Sequence, residues 1–406
     1  MRWRTAKAAE KMKNSGQLNS KPATRNVAIV AFPIKDPETS QFIGHIPLPA
    51  VLAPLVEVVF VVTGNLPVSF PYDNVRVINV PARTVSGQKE SLFSGAFRVL
   101  TAQFTISAAL LRLALKSKAN IGSVIVFDPL TLLLPTLIAR LLGRKVLSVL
   151  RGYAEEAWEA RRDAFRRPLA WAKRINLALS HKIIIYHQGF VKEWNLERYR
   201  NKILVASYLF VDSDKFRPIT PLAERATDIG YIGRLGREKG VLNLARAMPG
   251  LFEIRNDIKA LIVGDGELRH EVEQYLREKN LENKVQFAGW VSNDDIPDYL
   301  NQLRLLVLPS YTEGLPVIVQ EAMACGTPVL ATPVGAIPDL IKDGETGFIM
   351  EDNSPDCIAR NIIRALNSPN ADKIARDARA LAEKEFTYRA AVERYRDILA
   401  GLDPKR

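Results

Sequence analysis

Two carboxylates stand out in the stretch Tyr311-Thr-Glu-Gly-Leu-Pro-Val-Ile-Val-Gln-Glu-Ala-Met-Ala-Cys-Gly-Thr-Pro-Val329. Glu313 and Glu321 bracket seven residues that look buried. A hydrolytic acid/base pair needs its carboxyl groups roughly 5–9.5 Å apart. Eight helical residues at about 1.5 Å each would separate these two by roughly 12 Å along the axis. Even with Glu313 ahead of the helix, they suit two separate acceptor roles along an elongated polar ligand. Ionised carboxyl oxygens accept hydrogen bonds from sugar hydroxyls well, so one is read as a grip on a hexose and the other on a ribose.

A second constellation lies upstream, in Asp228-Ile-Gly-Tyr-Ile-Gly-Arg-Leu-Gly-Arg-Glu-Lys-Gly240. Gly233, Gly236 and Gly240 let the backbone turn tightly and approach a ligand, while Arg234 and Lys239 set two cations beside it. A glycine-lined turn with two cations at a helix start suits a diphosphate; a structural turn with solvated charges is the plain alternative. The Glu313 stretch tips the balance. Pro316 suits a first helical turn, so the amides of Gly314 and Leu315 are expected to reach phosphate oxygens. Gly326 is a fitting stop for that helix.

Residues placed this way need rigid elements behind them. Short β-rich runs recur, each followed by a longer helical pattern: 26–33, 58–64, 75–80, 123–128, 145–152, 182–187 and 203–209, then 228–233, 259–264, 285–288, 305–310 and 329–332. Runs such as Ser-Val-Ile-Val-Phe-Asp do not alternate, as expected of parallel strands covered on both faces. The expectation is a doubly wound α/β architecture in two Rossmann-like domains, with a cleft at the carboxyl ends of their strands. The boundaries read as a flexible basic leader 1–25, a first domain 26–210, a proline-bearing linker 211–226 and a second domain 227–385. A last helix, 386–406, is expected to pack back towards the first domain.

With 406 residues, 47% hydrophobic and 25% charged, the composition is that of an ordinary globular protein. Cys325 and Cys357 suggest no disulfide framework and a reducing, cytoplasmic setting. The net charge of +12 is uneven: residues 1–200 carry 29 Lys and Arg against 13 Asp and Glu, the remainder 27 against 31. Such a basic half points to an anionic surface or acceptor. No recognition motif favours nucleic acid. The longest apolar stretches noted, 51–62 and 130–143, are short or interrupted, and neither supplies about 20 apolar residues for a membrane span. The first 25 residues lack the apolar core of a secretory signal.

The set Gly233-Arg-Leu-Gly-Arg-Glu-Lys-Gly, Val263-Gly-Asp-Gly-Glu-Leu, Phe287-Ala-Gly-Trp-Val, Glu313-x7-Glu321, Pro328-Val-Leu-Ala-Thr-Pro-Val-Gly and Asp343-Gly-Glu-Thr-Gly-Phe resembles the retaining glycosyltransferases of family 4, of GT-B fold. The likeness runs from about residue 226 to 390. It implies transfer of a sugar from a nucleotide-diphosphate donor (UDP- or GDP-linked) to a glycan or lipid-linked acceptor, without a metal. Arg234 and Lys239 would hold the diphosphate. Glu313 would take hydroxyls of the transferred sugar, with Gly314, Leu315 and Pro316 beside it. Glu321 would take the ribose, while Gly264, Gly266 and the backbone of Val291 would line the base pocket.

The first half departs from the family pattern. The segment Phe32–His45 offers only Gly44 where relatives have paired glycines, and Leu150-Arg-Gly stands where many have a histidine near the sugar. Arg151, His187 and His45 are therefore the candidate acceptor-side residues, whereas His181 and His270 read as surface residues. Arg161–Arg174 mixes cations with Phe165 and Trp171, either as a solvated helix face or as a membrane-interface patch. A peripheral position on the inner membrane face would follow from the second. A sugar-nucleotide epimerase or a non-catalytic relative would share the architecture.

Overall fold

The computed structural model describes residues 25–32, 47–64, 66, 70, 72–81, 92–115, 119–127, 131–150 and 166–402. The chain forms two compact units, one holding residues up to Leu209 together with Tyr388 onward, the other Phe210–Thr387. In the first, β1 (Asn26–Val30), β2 (Val59–Thr63), β3 (Val75–Asn79), β4 (Ile121–Phe127), β5 (Lys145–Val149), β6 (Lys182–Ile185) and β7 (Ile203–Val205) pair in the order β3-β2-β1-β4-β5-β6-β7. Every pairing is parallel, Val27 lying opposite Val59 and Ser123. β1 and β2 are buried along their whole length. That is why these Val/Ile runs do not alternate.

Helix α1 (Pro47–Leu52) follows β1, and α2 (Leu92–Leu115), α3 (Leu133–Leu141) and α4 (Arg166–Leu179) connect the later strands. Right-handed crossovers place α2, α3 and α4 on one face of the sheet, and they pack side by side, α2 on α3 and α3 on α4. Among the described residues the longest apolar helix is thus α2, not either stretch noted from the sequence. Phe97–Leu115 has a mean hydropathy of 1.3 and is long and apolar enough to cross a membrane by length and composition. Arg98 and Arg112 hide it from a search for unbroken apolar runs. Its inner residues Ala102, Ile106, Leu110 and Leu113 belong to the core under the sheet.

In the second unit β8 (Thr227–Ile232), β9 (Ala260–Val263), β10 (Val285–Gly289), β11 (Leu303–Leu308), β12 (Val329–Ala331) and β13 (Phe348–Ile349) pair as β10-β9-β8-β11-β12-β13, again all parallel. Helices α6 (Val241–Ile254), α7 (Arg269–Glu278), α8 (Ile296–Gln302), α9 (Val317–Ala324), α10 (Ile337–Leu340), α11 (Pro355–Leu366) and α12 (Ala371–Glu385) follow α5 (Phe190–Glu193) of the first unit. The final helix, α13 (Tyr388–Ala400), returns to the first unit, where the Tyr388 hydroxyl donates to Ala50 O at 2.9 Å.

Two side chains, one in the expected linker and one read as a surface residue, are held inside the fold. Arg225, in the expected linker, is buried and donates to the carbonyls of Leu303 (2.8 Å) and Cys325 (2.9 Å) and to the Thr327 hydroxyl (2.8 Å). It ties the entry of the second unit to the end of α9. His181 is half-buried: its Nδ1 accepts from Val146 N–H at 2.9 Å, and the Arg140 guanidinium lies 2.5 Å from Nε2. Burial, then the cations Arg140, Lys145 and Lys202, push its pKa down to about 4. His270 is exposed, as expected. Asp212 Oδ1 accepts from Asp214 N–H at 3.1 Å, so this acidic pair caps its own turn.

Candidate functional site

β8 and β11 are neighbours, and the order of the strands reverses between them. Loops leaving the carboxyl ends of two such strands are forced together, which is where α/β sheets bind ligands. One loop is Gly233–Gly240, with its single turn Arg237–Lys239; the other is Pro309–Pro316, leading into α9. Lys239 and Glu313, 74 residues apart in the chain, meet there.

Lys239 Nζ donates to both oxygens of Glu313, at 2.8 and 2.9 Å, and the Ser310 hydroxyl donates to the same carboxylate at 2.7 Å. The Glu313 side chain is 6% exposed and that of Lys239 21%. Ser310 is itself positioned by Thr332, whose hydroxyl donates to Ser310 O at 2.5 Å. Arg234 sits half-exposed in the same loop, paired with Glu238. The two cations expected at a diphosphate share this loop, and each is paired with a carboxylate. Beneath them the Tyr231 phenol donates to Arg234 O at 2.7 Å. Burial first, then Glu313 and Glu238, raise its pKa, which keeps it a neutral donor.

The neighbouring loops are stitched to this one by backbone bonds. Gly233 N–H donates to Val263 O (3.0 Å), Leu235 N–H to Asp265 O (2.9 Å) and Gly264 N–H to Gly289 O (2.7 Å). Gly264, at φ +133°, lies so close that a Cβ there would stand 1.9 Å from Gly233 O. Gly266 closes the same loop. On the other side Gly335, at φ +57°, leaves no room for a Cβ beside Glu313 O, and Ala336 N–H donates to Gly314 O at 3.0 Å. Only glycine lets the chain after β12 run this close to the Glu313 loop.

Gly314 and Leu315 lie in the turn before α9, Leu315 packing on the core beneath it. Pro316 is the N-cap residue (φ −71°, ψ 112°) rather than part of the first turn, because its extended ψ precedes helical geometry. Gly326, at φ +62°, follows the end of α9 as expected. Glu321 is 4% exposed, within that helix. Val291 is half-buried just beyond β10, beside Trp290, which is 72% exposed. His187 lies past the end of β6, its ring edge-on to Phe190 at 5.5 Å. Arg151 and His45 fall outside the described residues.

Residues not singled out from the sequence also shape the site: Ser310, Thr332 and Gly335, and Tyr311, whose hydroxyl accepts from Asn243 at 2.8 Å. The run Pro328–Gly335 contained Thr332 and Gly335 without revealing their roles. By contrast, Asp343 of the Asp-Gly-Glu-Thr-Gly-Phe motif is structural. It accepts from Ile349 N–H (2.7 Å) and pairs with Arg364 (3.0 Å), tying β13 to α11. Among the described residues, no three His, Cys, Asp or Glu side chains converge as a metal site.

Residues 212–383 match the family model of the glycosyl transferases group 1. Alpha-D-kanosaminyltransferase of Streptomyces kanamyceticus is 30% identical over 212 residues, 51% of this chain and 54% of that protein. An Escherichia coli UDP-Gal:alpha-D-GlcNAc-diphosphoundecaprenol alpha-1,3-galactosyltransferase is 25% identical over 288 residues, 66% of this chain and 73% of that protein. Several curated relatives are spanned over only about a third to a half of their own length. The solved structure of HepE from Anabaena with UDP aligns at a TM-score of 0.71 and 16% identity, covering 92% of this chain and 99% of that one. The fold is therefore α/β with two Rossmann-like domains, of GT-B type.

Proposed function

Because residues 212–383 carry a group 1 glycosyltransferase domain, we propose that this chain transfers a sugar from a nucleoside-diphosphate sugar to a glycan or lipid-linked acceptor. The observation that supports it most is the meeting of Lys239, Glu313 and the Arg234 loop at the point where strand order reverses. Lys239 and Arg234 would take the diphosphate in place of their present carboxylates and stabilise the charge that builds on it as the sugar–phosphate bond breaks. Glu313, released from Lys239, would accept from hydroxyls of the transferred sugar, and Glu321 from the ribose. Gly264, Gly266 and the backbone at Val291 would border the base.

Two cations and the amides ahead of α9 offer a metal-free cradle for the leaving group. The family 4 resemblance supports retention at the anomeric carbon. The lipid-linked acceptor finds support in the Escherichia coli relative, named for a diphosphoundecaprenol substrate. A basic first half fits a peripheral position on an inner membrane face. The test is a panel of UDP- and GDP-sugars with candidate acceptors, following release of nucleoside diphosphate and the anomeric configuration of the product by NMR. Acceptor-dependent release with retained configuration is expected. Interconversion of donor sugars without transfer would replace the proposal with an epimerase.

A further inference from the structure

The outer surface of α2 is unlike that of any other helix among the described residues. Phe97 (59%), Leu100 (53%), Phe104 (63%), Leu111 (39%) and Leu115 (72%) are exposed along it. Their spacing keeps them on one stripe of a 3.6-residue helix. The opposite stripe is core, so the helix cannot be encircled by lipid and cannot span a bilayer while the unit is folded. It can only lie flat against something apolar. Trp171, 67% exposed on α4, extends the same layer.

Charge decides what that partner is. Helices α2, α3 and α4 contain no Asp or Glu, whereas Arg112, Arg140 and Arg174 are exposed on them. Other solvent-facing helices carry carboxylates that pair with their cations within a turn, as Lys373–Asp377 and Arg379–Glu383 do on α12 and Arg389–Glu393 on α13. A second copy of the same carboxylate-free layer would be repelled. An anionic leaflet offers both an apolar interior for the stripe and negative headgroups for the cations.

We propose that α2, flanked by α3 and α4, is the surface by which this protein rests on an anionic lipid membrane. This deepens the transferase reading, on which it rests for the location of a lipid-linked acceptor. The stripe would sink its aromatic and leucine side chains to the headgroup–acyl boundary, with the arginines at phosphate level.

The test is flotation of the full chain with vesicles of phosphatidylcholine alone and with added phosphatidylglycerol, at low and high salt. Binding to the anionic vesicles alone, weakened by salt, is expected. Phe104→Ser and, separately, Arg112→Glu should each reduce it by roughly tenfold. Both keep the inner stripe, and far-UV circular dichroism checks that the fold is retained. Should one variant misfold, the other still decides. Absence of binding by the wild-type chain, binding unaltered in folded variants, or a concentration-dependent dimer lost in Phe104→Ser without vesicle binding would each overturn the proposal. Nucleoside diphosphate release by the unbound protein reads the transferase proposal separately. Its failure alongside intact flotation would sink that reading and leave the docking surface standing.

Discussion

Replacing Glu313 by glutamine should pull binding and turnover in opposite directions. Lys239 donates to both oxygens of a carboxylate whose side chain is 6% exposed. A hydrogen bond to a charged partner contributes about 1.5–3 kcal/mol, a neutral one about 1 kcal/mol. An arriving diphosphate must win Lys239 from Glu313, so the ion pair opposes binding. Glu313→Gln keeps the shape and one acceptor but removes the charge, weakening that competition by about 1 kcal/mol. UDP or GDP alone, lacking the sugar, should then bind roughly fivefold more tightly. Turnover of the sugar donor should nevertheless collapse, since the grip on the transferred hexose is impaired. Titration calorimetry with the nucleoside diphosphate, paired with steady-state release assays, reads both effects on one protein. A nucleotide that binds tenfold more weakly to the variant would refute the competition and with it the assignment of Lys239.

Arg234→Ala and Lys239→Ala should each lower kcat/KM by roughly ten- to a hundredfold, the value of a charged contact to a desolvated phosphate. EDTA should leave the wild-type rate unchanged; strong inhibition by the chelator would end the metal-free mechanism. Glu321→Gln should raise KM for the donor with kcat largely kept, measured against wild type on the same donor. Arg225→Met should cost about 3 kcal/mol of unfolding free energy in denaturant titration, because several buried carbonyls lose their donor. His181, with a folded pKa near 4 against about 6.5 unfolded, binds protons preferentially in the unfolded chain. Stability of the first unit should therefore fall as pH drops from about 6.5 towards 4, and His181→Gln should flatten that slope in thermal melts.

Much of the sheet architecture was legible because parallel strands buried on both faces leave Val/Ile runs without alternation. Each run marked from the sequence overlaps a strand; most run past its carboxyl end by a residue or more, while β4, β8 and β11 begin before their runs and β10 ends after its own. β13, only Phe348–Ile349, is too short to leave a pattern. The site was legible as two clusters of residue types but not as one object. Nothing in the chain says that Lys239 lies against Glu313; that follows from β8 and β11 being neighbours. Gly335 was visible only as part of a run, since its role is the room it leaves beside Glu313 O. α2 escaped because its two arginines break the apolar run, although both stripes of a helix count when only one is covered. His181 escaped because its partners, Arg140 and Val146, lie on a different strand and helix.

The burial of Arg225 bears on how long the fold lasts. Beside a local bond to Thr220 O, its guanidinium makes four bonds to residues 75 to 102 positions away. Such contacts close late, after the strands that carry their partners have paired. A cation that keeps its water until then would leave these bonds out of the barrier that limits folding. Interactions of that kind leave the rate of folding nearly unchanged and slow the rate of escape from the native state. Arg225→Met is therefore expected to speed unfolding more than it slows folding in stopped-flow denaturant jumps, loosening the end of α9, the helix that carries Glu321 and follows directly from the Glu313 loop.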